Sequence, residues 1–201
     1  MPTLAFPASI RPVSAYWQLV FNTRSFPSPL SGDTQTRETP GARWACALSF
    51  EHLRRDEVAA IEAFVVRLRG AAGRFTLWNH ARENPRGVAT GAPVVDGAAN
   101  SGGTLATRGW TASVTGILLA GDLIGVNGEL KQVVTDANSD ATGKATLNIE
   151  PPLRATPADG AAITKVKPTA TFRLLDDNQG GSRYRRALTS LQLQAVEAFF
   201  G

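Results

Sequence analysis

Between residues 15 and 22 the side chains alternate: Ala15, Trp17, Leu19 and Phe21 fall on one side of an extended chain, and Tyr16, Gln18, Val20 and Asn22 on the other. Successive side chains of a strand point to opposite faces, so this period predicts a β-strand with one face inward. The run from Phe26 to Asp33 carries two prolines and a glycine and predicts a loop. The sharpest alternation follows at Arg43–Phe50, with Trp44, Cys46, Leu48 and Phe50 inward and Arg43, Ala45, Ala47 and Ser49 outward. The period then changes. Val58, Ile61, Phe64, Val65 and Leu68 make one helical stripe, leaving Arg55, Glu62, Arg67 and Arg69 to water. Asp56 and Glu57 near its start and Arg67 and Arg69 near its end suit the helix dipole. Gly70 is placed to supply the left-handed residue that ends a helix. Arg74-Phe-Thr-Leu-Trp78 predicts a further short strand, with Phe75 and Leu77 inward.

From about Pro85 glycine becomes dense, and Trp110 is the only aromatic until Phe172. Short β segments are predicted at Gly87–Val95, Gly103–Arg108, Asp122–Val126, Glu129–Thr135, Lys144–Ile149 and Ala161–Lys165. Asn127-Gly128 is the dipeptide that a two-residue hairpin prefers, because both central residues take positive φ. So many short strands in so little chain predict a small antiparallel barrel. After Pro168 the patterning of the N-terminal segment returns, with a strand at Thr171–Leu175 and a mixed segment from Tyr184 to Phe200. The reading is a mainly β protein with one main α-helix. Residues 1–84 and 169–201 make one discontinuous domain, and residues 85–168 make an inserted, removable one.

Composition narrows the function. At 201 residues the chain holds one large domain or two small ones, and 43% hydrophobic residues can supply a core. The net charge is +4, yet residues 85–168 carry seven basic and seven acidic side chains, so the excess lies in the flanks. A neutral barrel with one tryptophan lacks the basic, aromatic-lined groove that single-stranded nucleic acid needs, and no sequence-specific nucleic-acid binding is expected. The apolar runs are too short to cross a bilayer, and the opening residues lack the pattern of a secretory signal. A soluble protein made in the cytoplasm is expected. Cys46 is the only cysteine and reads as a buried thiol. A lone cysteine excludes an intrachain disulfide and a cysteine-based zinc site.

Candidate chemistry is sparse. His52 and His80 are the only histidines, neither has a partner at catalytic or metal spacing, and both read as surface residues. No nucleophile elbow, zinc-protease motif or phosphate-cradling loop is present. Asp136, Asn138 and Asp140 occupy the first, third and fifth positions of a calcium loop. Ala141 then stands where glycine is needed and Leu147 where a glutamate is needed, so a hairpin turn explains these residues better. No metal, cofactor or enzymatic activity is expected. Two sites remain: Trp110 as a ligand contact in a carbohydrate-binding module, and the basic cluster Arg183, Arg185 and Arg186 as a contact to a neighbouring subunit. A hydrolase assembled from scattered Ser, Asp and His residues is the third reading.

The layout resembles a known family. The alternating strand, the helix, Arg74-Phe-Thr-Leu-Trp78 and Pro85-Arg-Gly-Val-Ala-Thr-Gly-Ala-Pro-Val-Val-Asp-Gly97 look like distal tail proteins of siphophages and related prophages. So do Gly121-Asp-Leu-Ile-Gly-Val-Asn-Gly-Glu-Leu130, Ala145-Thr-Leu-Asn-Ile-Glu-Pro-Pro-Leu-Arg154 and Phe172-Arg-Leu-Leu175. The resemblance spans nearly the whole chain and lies in structural patterning rather than in a catalytic signature. It implies a β-sandwich-like belt domain with one helix, carrying an OB-like or sugar-binding β insertion. It further implies a virion protein that forms a homo-oligomeric ring, of six copies in this family. Such a ring sits at the tail tip, between the tail tube protein and the baseplate hub protein, and can also meet other baseplate or fibre proteins. Head-to-tail contacts close into such a ring when the rotation per subunit divides a full turn.

Overall fold

The computed structural model describes residues 3–179, 181–184 and 187–199, apart from the side chains of 181–189. From the N-terminus the chain forms β1 (Leu4–Ala5), β2 (Ser14–Val20), β3 (Thr23–Pro27), β4 (Thr34–Glu38), β5 (Arg43–Glu51), the helix α1 (Arg55–Leu68) and β6 (Phe75–Trp78). Six strands follow: β7 (Gly91–Val95), β8 (Gly102–Trp110), β9 (Leu123–Val126), β10 (Glu129–Val133), β11 (Lys144–Leu153) and β12 (Ile163–Thr164). The last are β13 (Thr169–Leu174), β14 (Gly181–Tyr184) and β15 (Ala187–Glu197). The fold is mainly β, with 45% strand, 9% helix and a single α-helix.

Two large sheets and a two-stranded ribbon, β3-β4, make up the described strands. The first large sheet runs β1-β6-β13-β15-β5-β2, with β14 also paired to β15, and its strands all come from residues 4–78 and 169–197. The second is a nearly closed, barrel-like antiparallel sheet in the order β12-β9-β10-β11-β8-β7, drawn from residues 91–164. Its open seam is bridged where Val94 pairs with Ala162 and the Val95 N–H donates to Ala161 at 2.9 Å. Arg108 on β8 fastens the same seam, reaching Asp96 at 2.9 Å and Asp159 at 2.5 Å. Lys144 adds a second cation on Asp96 at 2.8 Å. Hydrogen bonds from Lys144 and then Arg108 hold the Asp96 carboxyl below its ordinary range. Asn127 and Gly128 take φ of 50° and 74° and join β9 to β10 with Val126 opposite Glu129, the two-residue hairpin that the sequence implies.

The helix forms as its stripe requires, burying Ile61, Phe64 and Leu68. Its first turn is anchored by Glu57, which accepts from the Arg54 N–H at 2.8 Å and from the Arg54 guanidinium at 3.2 Å. At the other end Arg69, not Gly70, takes the first left-handed position, at φ 52°. Gly70 is left-handed too, at φ 68°, and opens a short 3-10 turn. Asp177 lies so close that a Cβ on Gly70 would meet its Oδ1 at 2.2 Å. The glycine is needed for that approach as well as for its φ.

The loop expected at Phe26–Asp33 is present from Ser28, but it joins two strands that the sequence reading did not place. β3 and β4 pair from Thr23 opposite Glu38 to Pro27 opposite Thr34, and only Ser28–Asp33 is the connecting loop. All ten strand residues are exposed, so nothing in the sequence alternates between wet and dry. The first predicted barrel strand also shortens at its start. Val88 and Ala89 donate to the carbonyls of Gly116 and Ile117 at 2.9 Å each, which takes this backbone out of the sheet.

Candidate functional site

The two large sheets have separate hydrogen-bond ladders and separate core clusters, but the flank cluster reaches into the barrel. Val95, Leu105, Trp110, Ile117, Ile124, Val126, Leu147 and Ile163 fill the barrel from within residues 95–163. The flank core gathers Trp44, Leu48, Phe50, Phe64, Phe75, Phe172 and Leu193, but it also includes Leu123 and Leu130 of the barrel. The Trp44 indole N–H donates to the Leu130 carbonyl at 2.9 Å. The insertion is therefore distinct in its strands but continuous in its packing.

A buried charge network crosses the same junction. Glu197 on β15 is buried and accepts from the Trp44 backbone N–H at 3.2 Å and from the Arg154 guanidinium at 2.7 Å. Arg154 also lies 3.6 Å from Glu129, whose other partner is the fully buried Lys131 at 2.5 Å. Lys131 Nζ donates to the Pro152 carbonyl at 2.8 Å. Burial pulls the Lys131 ammonium below its ordinary pKa, and the Glu129 carboxylate pulls against that shift. Two guanidiniums lie over the Phe199 ring, that of Arg43 at 4.6 Å and that of Arg154 at 4.7 Å from its centroid. Sequence reading missed this network because its members are scattered along the chain, from Glu129 to Glu197. The available signal was Glu129 and Lys131 at i, i+2, which puts two opposite charges on one face of a strand whose other residues are mostly apolar.

Trp110 requires a correction. It is 5% exposed, belongs to the barrel core, and commits its indole N–H to Thr107 Oγ1 at 2.8 Å. It offers no stacking face for a sugar, because the ring fills the barrel interior. Arg183 lies on the backbone of β14, and Arg185 and Arg186 fall outside the described residues. Cys46 is 4% exposed in β5, and burial pushes its thiol up to about 12. Asp136, Asn138 and Asp140 serve turns: Asp136 accepts from the Ala120 N–H, Asn138 from that of Gly116, and Asp140 from those of Thr142 and Lys144. His52 is exposed, as expected of a surface residue. His80 is not one. Its ring lies 4.8 Å from Trp78 and 5.8 Å from Phe6, and both ring nitrogens are buried without a hydrogen-bond partner.

The surface feature that stands out is continuous with β2. This strand is an edge of the first sheet, so one side of its backbone has no ladder partner there. Val13, Tyr16, Val20, Phe21, Phe26 and Leu30 supply six of the eleven exposed large hydrophobic residues among the described residues. Phe26 and Leu30, on the β3–β4 hairpin, are 56% and 97% exposed. Among the described residues no group of three or more His, Cys, Asp or Glu side chains is placed to hold a metal ion, and no helix is long and apolar enough to cross a membrane. Comparison with known proteins finds no matching family model and no matching curated relative.

Proposed function

We propose that this chain is a structural subunit of a long-tailed phage tail tip. It would assemble with copies of itself into a ring, of six by the resemblance, that joins the tail tube to the baseplate hub. The observation that supports this reading is the open β2 edge continuing into an exposed hairpin that carries Phe26 and Leu30. A lone soluble protein shields such an edge, whereas a ring uses it as a joint. Exposed large hydrophobic side chains that gather on one segment of the chain, six of eleven between Val13 and Leu30 among the described residues, also support an interaction site there. The buried junction supports the same role, since it couples the barrel to the flank sheet within one stiff subunit.

Electron microscopy of the purified chain tests the reading directly. Rings of uniform diameter are expected as protein concentration rises. A chain that stays monomeric at high concentration, with its helix and strands intact by circular dichroism, would overturn self-closure.

A further inference from the structure

The charges on the hairpin name its partner more closely. Strand β3 places Arg24 directly opposite Arg37 of β4, and the face they share also carries Phe26 and Gln35. Like charges paired across two strands weaken a hairpin, and an isolated two-stranded ribbon is marginal in water. Among the described residues neither arginine enters an ion pair. This cationic, aromatic face calls for an acidic surface with an apolar rim.

The chain carries such a surface elsewhere. After β13 the turn Leu175-Asp176-Asp177 exposes Leu175 and both carboxylates. Asp177 is fixed by the Ala71 N–H at 2.8 Å, just beyond the last turn of α1, where Val66 is exposed. Asp176 accepts from the Asn178 N–H and from Gln179 Nε2, each at 2.9 Å, and has no cationic partner among the described residues. The two surfaces lie on different parts of the sheet. The hairpin leaves β2 at Val20, whereas the acidic turn leaves β13, three strands across, level with Tyr16 through the Leu175–Gln194 and Gln194–Ala47 pairings. Donor and acceptor at separate positions make a head-to-tail contact, the kind that closes a ring or propagates a filament.

We infer that the β3–β4 hairpin is an arm that docks its Arg24–Phe26–Arg37 face on the Leu175–Asp177 turn of a second copy of this chain. The inference rests on the self-assembly proposed above and assigns its joint. The test uses the full-length chain in four forms: wild type, Arg24→Glu with Arg37→Glu, Asp176→Lys, and all three changes together. Asp177 is left alone because it ties the turn to the end of α1 through the Ala71 N–H, whereas Asp176 bonds only within the turn. Light scattering across protein concentration reads assembly, and thermal unfolding checks that each form folds. Like charges facing each other across a joint penalise association steeply, so each one-sided variant is expected to need on the order of a hundredfold more protein to assemble. The combined variant is expected to recover part of that loss, because the lysine introduced at position 176 again meets opposite charges while Asp177 still faces them with like charge. Phe26→Ser with Leu30→Ser should weaken assembly without altering charge. Wild-type chain that never assembles overturns the ring and the arm together. Wild-type chain that assembles while the arm variants assemble equally well, or while the combined variant fails to recover, leaves the ring standing and overturns the arm. Loss of duplex DNA binding by folded arm variants whose assembly is intact would assign the arm to nucleic acid and overturn it as well.

Discussion

The barrel and the flank sheet are built to different degrees of completeness. The barrel buries its core within residues 95–163, bridges its seam with Arg108, and uses Asp136, Asn138 and Asp140 to satisfy the backbone of its own loops. The flank sheet borrows Leu123 and Leu130 from the barrel, leaves β2 as an edge, and carries a hairpin whose strand residues are all exposed. A sheet edge and an uncovered apolar surface are costs to a molecule that stays alone. On the reading proposed above, the difference between the two regions is where a partner would attach.

Separating the two regions is the strongest way to break this comparison. Residues 85–168 alone should unfold cooperatively, since their core needs no residue from outside. Residues 1–84 joined directly to 169–201 by a short Gly/Ser linker should lose cooperative unfolding, because Trp44 and its neighbours lose their cover. The sequence alone suggests that the insertion is removable, and the reach of the flank cluster into the barrel argues otherwise. Urea titrations followed by circular dichroism decide the matter. A joined flank with the same midpoint as the whole chain would show that the borrowed leucines contribute little.

The next effect in size belongs to the junction network. Arg154→Ala leaves Glu197 buried with only the Trp44 N–H, and breaking a partly buried pair from one side costs about 3 kcal/mol. Cys46 reports the event independently. Its thiol is buried and pushed up to about 12, so a thiol reagent must wait for the flank to open. Labelling of the native chain should be slow and should accelerate roughly a hundredfold in the variant, in line with a tenfold change per 1.4 kcal/mol. Fast labelling of native wild type would place Cys46 elsewhere than the inner face. Unchanged labelling in the variant would mean that the network does not hold the flank.

Particular residues show how much of this was legible in the sequence. Arg43–Phe50 announced its strand because every second side chain is buried, and Asn127-Gly128 announced its turn because few other residues accept that backbone. The hairpin at 23–38 was silent because period-two patterning records burial and no strand residue there is buried. Trp110 misled for a related reason: an aromatic alone in a polar, glycine-rich stretch looks available, but position in a strand does not reveal which side of a barrel is the inside. The charge network was invisible because the middle segment is neutral in sum, and a sum does not show that Arg154 reaches out of the segment to Glu197.

Two glycines sharpen the comparison at a smaller scale. A Cβ on Gly128, in the barrel hairpin, would meet nothing within 4 Å, so Gly128→Ala should cost only the left-handed backbone, about 1 kcal/mol. Gly70 in the flank has a similar φ, but its added methyl would displace Asp177 from the Ala71 N–H. Gly70→Ala should therefore cost about 1 kcal/mol more than Gly128→Ala, as a lost hydrogen bond adds to the backbone strain. Equal losses in paired melting curves would show that Asp177 moves aside freely.

The smallest effect expected is the pH response of His80, at the point where the chain leaves the flank for the barrel. Burial lowers the pKa of its imidazole from the ordinary 6.5, with Glu83 opposing the shift and Arg11 and Lys167 reinforcing it. Glu83 is itself 3.1 Å from Arg11 and 3.8 Å from Lys167, so its charge is already shared. The unfolded chain takes up the proton first as pH falls. The stability that depends on a neutral His80 is thus fully present above about 6.5 and is lost as pH falls toward the lowered folded-state value. Carboxylates whose pKa the fold holds down, such as Asp96, Asp140 and Asp159, titrate below their ordinary range and leave this window clear. His80→Phe keeps an aromatic ring against Trp78 and Phe6 while removing the titration. Between pH 7 and 5, urea midpoints of the wild type should fall more steeply than those of the variant, and the two curves should run parallel above pH 7. Equal slopes throughout would mean that the ring nitrogens reach water and that the flank–barrel connection is more open than its contacts indicate.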